Sequence, residues 1–234
     1  KEQPDAIAKT YEPRLKDGKV FFEGLKLTDE QLRGIDRIVI TACGSAYHTG
    51  VVAKYFYEEL LRIPVEVDLA SEFRYRNPII NNKTLVIIIS QSGETADTLA
   101  ALKEAKARGA HTLSIVNVVG SSIAKASDDV IYTWAGPEIA VATTKAYSTQ
   151  LIVLYLFAIY AAEKLGTCQQ ERLNSLLDGI RQLPKQIQDI FALEDKLRVL
   201  AKAHYSMRSV FFIGRNIDYA VAMEGSLKLK EISH

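Results

Sequence analysis

The chain has 234 residues, a length that suits one large domain or one domain with part of a second. Hydrophobic residues make up 48% of the sequence, which is ample for a sizeable core. The net charge of +1 favours neither nucleic acid nor an acidic membrane surface as a partner. Two cysteines, Cys43 and Cys168, provide no disulfide framework and no metal-ligand spacing. We therefore expect a reducing, cytoplasmic setting and predict neither a metal nor a cofactor. The chain begins at Lys1 and stops at His234, and both ends look like cuts in a longer protein.

Residues 1–36 are polar, and they are predicted to form a helical linker arm on the outside of the fold. Pro4 suits the first turn of a helix that we expect to end near Gly18. A second, short helix is predicted to start after Thr28, where acidic residues follow at once.

From residue 37 onward, apolar strand patterns alternate with helical patterns. The predicted strands are residues 37–42, 64–69, 85–89, 111–116 and 130–134, and the predicted helices are 47–61, 70–75, 96–108, a short one from 121 and about 144–165. This alternation predicts an α/β fold, a doubly wound αβα sandwich around a five-stranded parallel sheet of the flavodoxin-like kind, spanning residues 37–166.

Residues 146–162 form a run of 17 without a charge, so the run needs testing as a membrane span. A spanning helix wants about 20 predominantly apolar residues, and this run places Ser148, Thr149 and Gln150 in its first turns. We predict a helix buried in the core or at a subunit interface, and no membrane contact.

The remaining residues are predicted to contain a connector and the start of another domain. Residues 167–208 are charged and helical in pattern, with a break expected at Pro184. Residues 210–213 predict a strand. Gly214 comes directly after it, and a helix is predicted from about Asp218. This repeats the order of residues 38–61, so residues 209–234 are predicted to be the opening βα unit of a second copy of the same domain.

The most informative stretch is residues 84–98, where a β-branched run ends in Ser90, Gln91, Ser92, Gly93, Glu94 and Thr95. A helical pattern follows from Ala96. The unpaired N–H groups of a helix start, together with hydroxyl donors, favour an anion. An ordinary turn with a Ser/Thr N-cap remains the alternative. Residues 90–95 are called the hydroxyl loop below.

Small and hydroxyl residues also follow the other predicted strands, at the edge where α/β sheets bind ligands. They are Cys43, Gly44, Ser45 and Ala46 after the first strand, Gly120, Ser121 and Ser122 after the fourth, and Glu138, Val141, Ala142, Thr143 and Thr144 after the fifth. Neither a dinucleotide fingerprint nor a P-loop occurs, and the hydroxyl loop has no Arg or Lys. A sugar phosphate therefore suits the site better than a nucleoside triphosphate with Mg²⁺. Cys43 is a small residue of the pocket floor or a nucleophile, although His48 is not in an obvious base position.

Near the end of the chain, Glu224, Lys228 and Glu231 fall on one helical face. They form a solvated salt-bridge ladder or, alternatively, a carboxylate base beside an ammonium group. A ketose-to-aldose shift needs the second arrangement, because one group moves a proton while a cation stabilises charge on oxygen.

Residues 90–98, SQSGETADT, resemble the signature loop of the sugar isomerase (SIS) domain family. Further stretches resemble one branch of that family, namely residues 43–45 (CGS), 70–76 (ASEFRYR), 141–146 (VATTKA) and 224–233 (EGSLKLKEIS). Enzymes of that branch couple glutamine hydrolysis to the amination of fructose 6-phosphate and isomerise the product to glucosamine 6-phosphate. The resemblance implies a first SIS domain, the start of a second, and a glutaminase domain in the parent chain. We also expect a homodimer, because the long apolar helix at residues 144–165 and the start of the second domain both leave apolar surface that needs cover.

The resemblance also implies roles for individual residues. The phosphate would be held by Ser90, Gln91, Ser92 and Thr95, and the sugar would be lined by Cys43, Gly44, Ser45, Val141 and Thr143. Glu231 would be the base that moves a proton between C1 and C2, with Lys228 beside it. Ala46 departs from the hydroxyl residue frequent in the family, so position 46 loses one expected contact.

The family's ring-opening histidine and sugar-binding lysine would lie beyond His234, so we expect the chain to bind a sugar phosphate without catalysing alone. Two other readings remain open. One is a non-catalytic SIS domain that senses a sugar phosphate, and the other is a different SIS phosphosugar isomerase or deglycase.

Overall fold

The computed structural model of the chain describes residues 1–140 and 142–233. In chain order its elements are α1 (Gln3–Tyr11), a 3-10 turn (Glu12–Arg14), β1 (Leu15–Lys16), β2 (Lys19–Val20), α2 (Asp29–Gly34), β3 (Arg37–Ala42), α3 (Gly44–Leu61), β4 (Val65–Leu69), α4 (Ala70–Phe73), β5 (Thr84–Ser90), α5 (Ala96–Ala107), β6 (His111–Val116), α6 (Ser122–Ala126), β7 (Asp129–Tyr132), α7 (Lys145–Leu165), α8 (Gln170–Phe191), α9 (Glu194–His204) and α10 (Ile217–Ile232).

The central sheet has five parallel strands in the order β4-β3-β5-β6-β7. Ile40 of β3 lies between Val67 of β4 and Ile87 of β5, which fixes the register in the middle of the sheet. The chain crosses from one side of β3 to the other between β4 and β5. The carboxyl ends of β3 and β5 therefore flank the switch point at which doubly wound sheets bind ligands.

Side chains of the central strands alternate between two apolar layers, as the period of a β-strand requires. Ile38, Ile40 and Ile87 face the layer formed with α1, α3, α7 and α8. Val39 and Val86 face the layer formed with α4, α5 and α6. The predicted αβα sandwich around a five-stranded parallel sheet is confirmed.

Helix α7 is long and apolar enough to span a membrane, but its apolar side chains are packed inside the fold. Val153, Leu154 and Phe157 are each fully buried. Phe157 packs beside Tyr57 of α3 and Phe22, so apolar neighbours surround the helix. The prediction of a buried core helix is confirmed.

The prediction for the first helix was wrong at its C-terminal end. Helix α1 stops at Tyr11, and residues 15–20 form a hairpin. Asp17 and Gly18, with φ of 52° and 76°, form a two-residue turn of the kind that matches the twist of two antiparallel strands. Ile7 of α1 is buried in the main core, so this helix packs as part of one outer layer of the fold.

The predicted start after Thr28 is confirmed, because Thr28 and Gln31 form a reciprocal capping box at α2.

The expected break at Pro184 was wrong, because α8 runs through this residue without interruption. The apolar stripe of the helix continues across Pro184, with Leu177 and Ile180 buried and Leu183 partly buried before it, and Ile187 partly buried after it. Packing of this stripe outweighs the loss of one backbone hydrogen bond.

The predicted strand at residues 210–213 was also wrong, because these residues have no strand conformation. Phe211 and Ile213 are 88% and 90% exposed, and no strand within residues 1–140 or 142–233 lies beside them. A strand needs a neighbour to receive its backbone hydrogen bonds, so the apolar pattern alone is insufficient. Of the two elements predicted for residues 209–234, only the helix, α10, is present.

Gly50 sets the distance between α3 and the sheet. A Cβ at this position would lie 2.9 Å from Ile40 Cγ2 and 3.1 Å from Val67 Cγ1. We expect Gly50→Ala to lower the free energy of unfolding by about 1–3 kcal/mol, because the helix must shift away from the sheet. Gly179→Ala is the matched control, since Gly179 is exposed in α8 with nothing near its Cβ position. It should raise stability by up to about 1 kcal/mol. Urea unfolding of both variants checks this, and equal effects would contradict the packing argument.

Candidate sugar-phosphate site

A cavity of about 290 Å³ lies at the carboxyl ends of β3 and β5, the switch point of the sheet. Most of the side chains that line it are small or polar. The residues are Cys43, Ser45, Ala46, Ile89, Ser90, Gln91, Ser92, Thr95, Thr98, Thr143, Ala146, Gln150, Lys228 and Glu231.

The hydroxyl loop is organised by Ser90, which is buried at the end of β5. Ser90 Oγ accepts a hydrogen bond from the Gly93 N–H at 3.1 Å and lies 3.1 Å from Thr95 Oγ1. Thr95 is the N-cap residue of α5, yet its hydroxyl does not cap the helix. The start of α5 therefore adds backbone N–H groups and partial positive charge beside the hydroxyls.

The loop after β6 supports the hydroxyl loop from outside the cavity. Ser121 and Ser122 follow β6 at the predicted edge of the sheet, but they do not line the cavity. A Cβ at Gly93 would lie 2.0 Å from Ser121 Oγ, so only glycine permits this contact, and its φ of +67° favours glycine too. Glu94 accepts a hydrogen bond from the Ser122 N–H at 2.7 Å. The side-chain and backbone hydrogen bonds of Ser122 hold the pKa of Glu94 below its ordinary value.

The turn between β3 and α3 forms the adjoining wall. Cys43 and Ser45 line the cavity, whereas Gly44 supports the turn through its left-handed φ of 57°. Cys43 Sγ accepts a hydrogen bond from Thr98 Oγ1 at 3.8 Å. His48 is bonded elsewhere and provides Cys43 with no base, so the structure favours Cys43 as a residue of the cavity wall.

The segment before α7 brings one predicted residue to the cavity. Thr143 lines it, and the Thr143 hydroxyl donates to Glu138 Oε2 at 3.0 Å. Val141, also predicted to line the sugar, lies outside the residues that the structure describes.

Helix α10 closes the cavity with Lys228 and Glu231. Lys228 Nζ lies 2.5 Å from Glu231 Oε2 and 3.5 Å from Glu224 Oε1, so the ammonium group sits between two carboxylates. The side chains of Lys228 and Glu231 are 21% and 28% exposed. The predicted ladder is present, and it faces the cavity rather than only solvent.

A buried hydrogen-bonded pair attaches α10 to α3. Glu224 Oε2 lies 2.7 Å from Nδ1 of His48 on α3, and both side chains are nearly buried. Burial raises the pKa of the nearby Tyr147 phenol, and the negative charge of Glu224 adds to this shift. The His48–Glu224 pair thus holds the helix that carries Lys228 and Glu231.

Of the site residues that the family resemblance implies, those within residues 1–140 and 142–233 all line the cavity except Gly44. Sequence reasoning missed Thr98, Gln150 and the His48–Glu224 pair. The isolated amide of Gln150 within an apolar helix was a usable signal, whereas the His48–Glu224 pair joins residues 176 positions apart and had no local signal.

The SIS domain model matches residues 31–160, more than half of the chain. The chain belongs to the SIS domain family. Curated relatives named glutamine–fructose-6-phosphate aminotransferase [isomerizing] are 54% identical in Caldanaerobacter subterraneus subsp. tengcongensis and 53% identical in Clostridium acetobutylicum. Both alignments cover 100% of this chain and 38% of the relative, so the chain spans well under half the length of these proteins.

A solved structure supports the same relationship. The C-terminal domain of glucosamine-fructose-6-phosphate aminotransferase from Francisella tularensis superposes with a TM-score of 0.93 at 34% identity. The superposition covers 99% of this SIS chain and 65% of that chain.

Removal of the His48 side chain tests the attachment of α10. We expect His48→Ala to leave the buried Glu224 carboxylate without its closest partner and to destabilise the docking of α10 by about 1–3 kcal/mol. Amide hydrogen exchange in α10 should become faster. His204→Ala is the control, because His204 is exposed on α9. Unchanged protection of α10 in His48→Ala would show that the pair does not hold the helix.

Proposed function

We propose that the chain is the isomerase part of a glutamine–fructose-6-phosphate aminotransferase and that its cavity binds fructose 6-phosphate and glucosamine 6-phosphate. One observation carries this proposal: a single cavity is lined both by the Lys228–Glu231 pair and by the uncharged residues of the hydroxyl loop, Ser90, Gln91, Ser92 and Thr95. The names of the relatives supply the substrate. A sugar phosphate has an anionic end for the first group and a reactive carbon end for the second.

The phosphate end is assigned to the hydroxyl loop. Phosphate oxygens accept hydrogen bonds, and Ser90, Ser92 and Thr95 have hydroxyl donors, while Gln91 has an amide donor. The N-terminus of α5 adds a favourable partial charge without a basic side chain. Neutral donors hold the phosphate firmly enough to orient the sugar while leaving the charges of Lys228 and Glu231 for the chemistry.

The reactive end is assigned to Lys228 and Glu231. Glu231 is the base that moves a proton between C1 and C2, and Lys228 is a cation for negative charge that develops on oxygen. The buried Glu224 carboxylate lies 3.5 Å from the Lys228 ammonium and helps to orient it.

The remaining predicted residues are proposed to contact the sugar between these two ends. Cys43, Ser45 and Thr143 line this part of the cavity. Gly44 keeps the turn in the conformation that brings Ser45 there, and Val141 is proposed to contribute on the α7 side. A pure sensor would have no use for a carboxylate and an ammonium at the sugar end, so we favour the enzyme.

In the parent chain we propose a glutaminase domain that supplies ammonia, a cytoplasmic location and a homodimer. The case for a dimer no longer rests on α7, whose apolar surface is covered within the fold. It rests on exposed apolar side chains such as Phe211 and Ile213 beside α10.

The hydroxyl loop can be tested by binding. We expect Ser90→Ala and Thr95→Ala each to weaken fructose 6-phosphate binding by about 1–3 kcal/mol, the scale of a lost hydrogen bond to a charged group. Ser175→Ala is the control, because Ser175 is exposed on α8. Titration calorimetry measures the three affinities. Unchanged affinity in both loop variants would remove the phosphate from this loop.

Catalysis by the isolated chain is a separate test. We expect the 234-residue chain to bind fructose 6-phosphate but to release no glucosamine 6-phosphate from it and ammonia. The reason is that family members use further catalytic groups besides the Lys228–Glu231 pair. Mass spectrometry of the product mixture checks this, and turnover above the rate without protein would refute it.

Sedimentation at tens of micromolar tests the homodimer. A dimer is expected because the exposed apolar side chains need cover, whereas a monomer would count against it.

A further inference from the structure

Gln150 has an unusual position in the cavity wall. It lies in the first half of α7, is 2% exposed, and faces the cavity together with Ala146, one helical turn earlier. Its Oε1 atom is buried and has no hydrogen-bond partner among residues 1–140 and 142–233. Its neighbour Thr149 is also buried, but the Thr149 hydroxyl donates to the Ala146 carbonyl at 3.1 Å.

An unpaired amide oxygen inside a protein is unfavourable unless a donor reaches it. In the folded chain the Gln150 side chain lies at a cavity wall, where a bound molecule could provide the donor. The phosphate cannot do so when it is fully ionised, because its oxygens then accept hydrogen bonds and do not donate them. A sugar hydroxyl can donate, so the oxygen of Gln150 complements the part of the ligand that the hydroxyl loop does not hold.

We propose that Gln150 Oε1 accepts a hydrogen bond from a hydroxyl group of the sugar and thereby helps the site to distinguish a sugar phosphate from a bare phosphate. The inference rests on the proposed function, since it takes the ligand to be a sugar phosphate. It adds a specificity-determining residue to the wall formed by α7. A site that leaves a buried acceptor unpaired when the wrong ligand binds discriminates against that ligand.

The test compares two ligands and three variants of the whole chain. Gln150→Met keeps the approximate size of the side chain and removes the amide, and Gln150→Ala removes it without filling the space. Thr149→Val is the matched control, because it removes a buried hydroxyl from the same helix without changing the cavity wall. Titration calorimetry with fructose 6-phosphate and with inorganic phosphate gives the affinities, and thermal unfolding of each free variant monitors folding.

We expect Gln150→Met and Gln150→Ala to bind fructose 6-phosphate about three- to tenfold more weakly and to bind inorganic phosphate unchanged. Free Gln150→Met should melt at the same temperature as the unchanged chain or higher, because it no longer buries an unpaired acceptor. Thr149→Val should bind both ligands normally.

Three results would overturn the inference. Unchanged fructose 6-phosphate affinity in both Gln150 variants would show that the amide does not contact the sugar. Loss of folding in both variants would assign the amide to packing of α7 instead. Failure of the unchanged chain to bind fructose 6-phosphate would remove the proposed function as well, and this outcome is distinct because it appears before any substitution is made.

Discussion

The parallel pairing of β3 with β5 is the constraint on which the site depends. Ile40 lies beside Ile87 and Thr41 beside Ile88, so the two strands end at the same edge of the sheet. The turn that contains Cys43 and the hydroxyl loop therefore emerge next to each other. Strand β4 lies on the outer side of β3, and β6 lies on the outer side of β5. The chain connections therefore diverge at this central pair, and a crevice stays open at the carboxyl ends of β3 and β5. The cavity is a consequence of strand order, and the small residues around it determine what fits.

The second requirement is that a distant part of the chain closes this cavity. Helix α10 packs against α3 and is held there by the buried pair of His48 and Glu224. The pair is selective about geometry, because a shifted helix would separate the Glu224 carboxylate from His48 Nδ1, its closest partner. The pair therefore sets where Lys228 and Glu231 lie relative to the hydroxyl loop.

Local patterns in the sequence predicted the elements whose stability is mainly local or buried. The strands near residues 37–42 and 111–116 agree with the structure to within a residue, because a continuous apolar run followed by small residues has few alternatives in a covered parallel sheet. The predictions failed where contact with another segment of the chain decides which secondary structure forms. Residues 210–213 are as apolar as the sheet strands yet have no neighbouring strand, and Pro184 is kept in α8 by apolar packing on both sides of it.

The same distinction applies to the site. Ser90 and Thr95 could be identified from sequence because hydroxyls between a buried strand and a helix start have a local meaning. The side of α10 that faces the cavity could not be read from spacing, since Glu224, Lys228 and Glu231 would look the same on a solvated helix. That the side-chain oxygen of Gln150 has no hydrogen-bond partner among residues 1–140 and 142–233 could be recognised only after its surroundings were known.

The central claim is that one cavity holds the phosphate at the hydroxyl loop and the reactive carbons at α10. A crystal structure of the chain with fructose 6-phosphate tests it most directly. We predict that the phosphate oxygens lie within hydrogen-bond distance of Ser90 and Thr95, with C1 and C2 directed toward Glu231. A sugar phosphate bound in the reverse orientation, or bound away from the carboxyl ends of β3 and β5, would contradict the account.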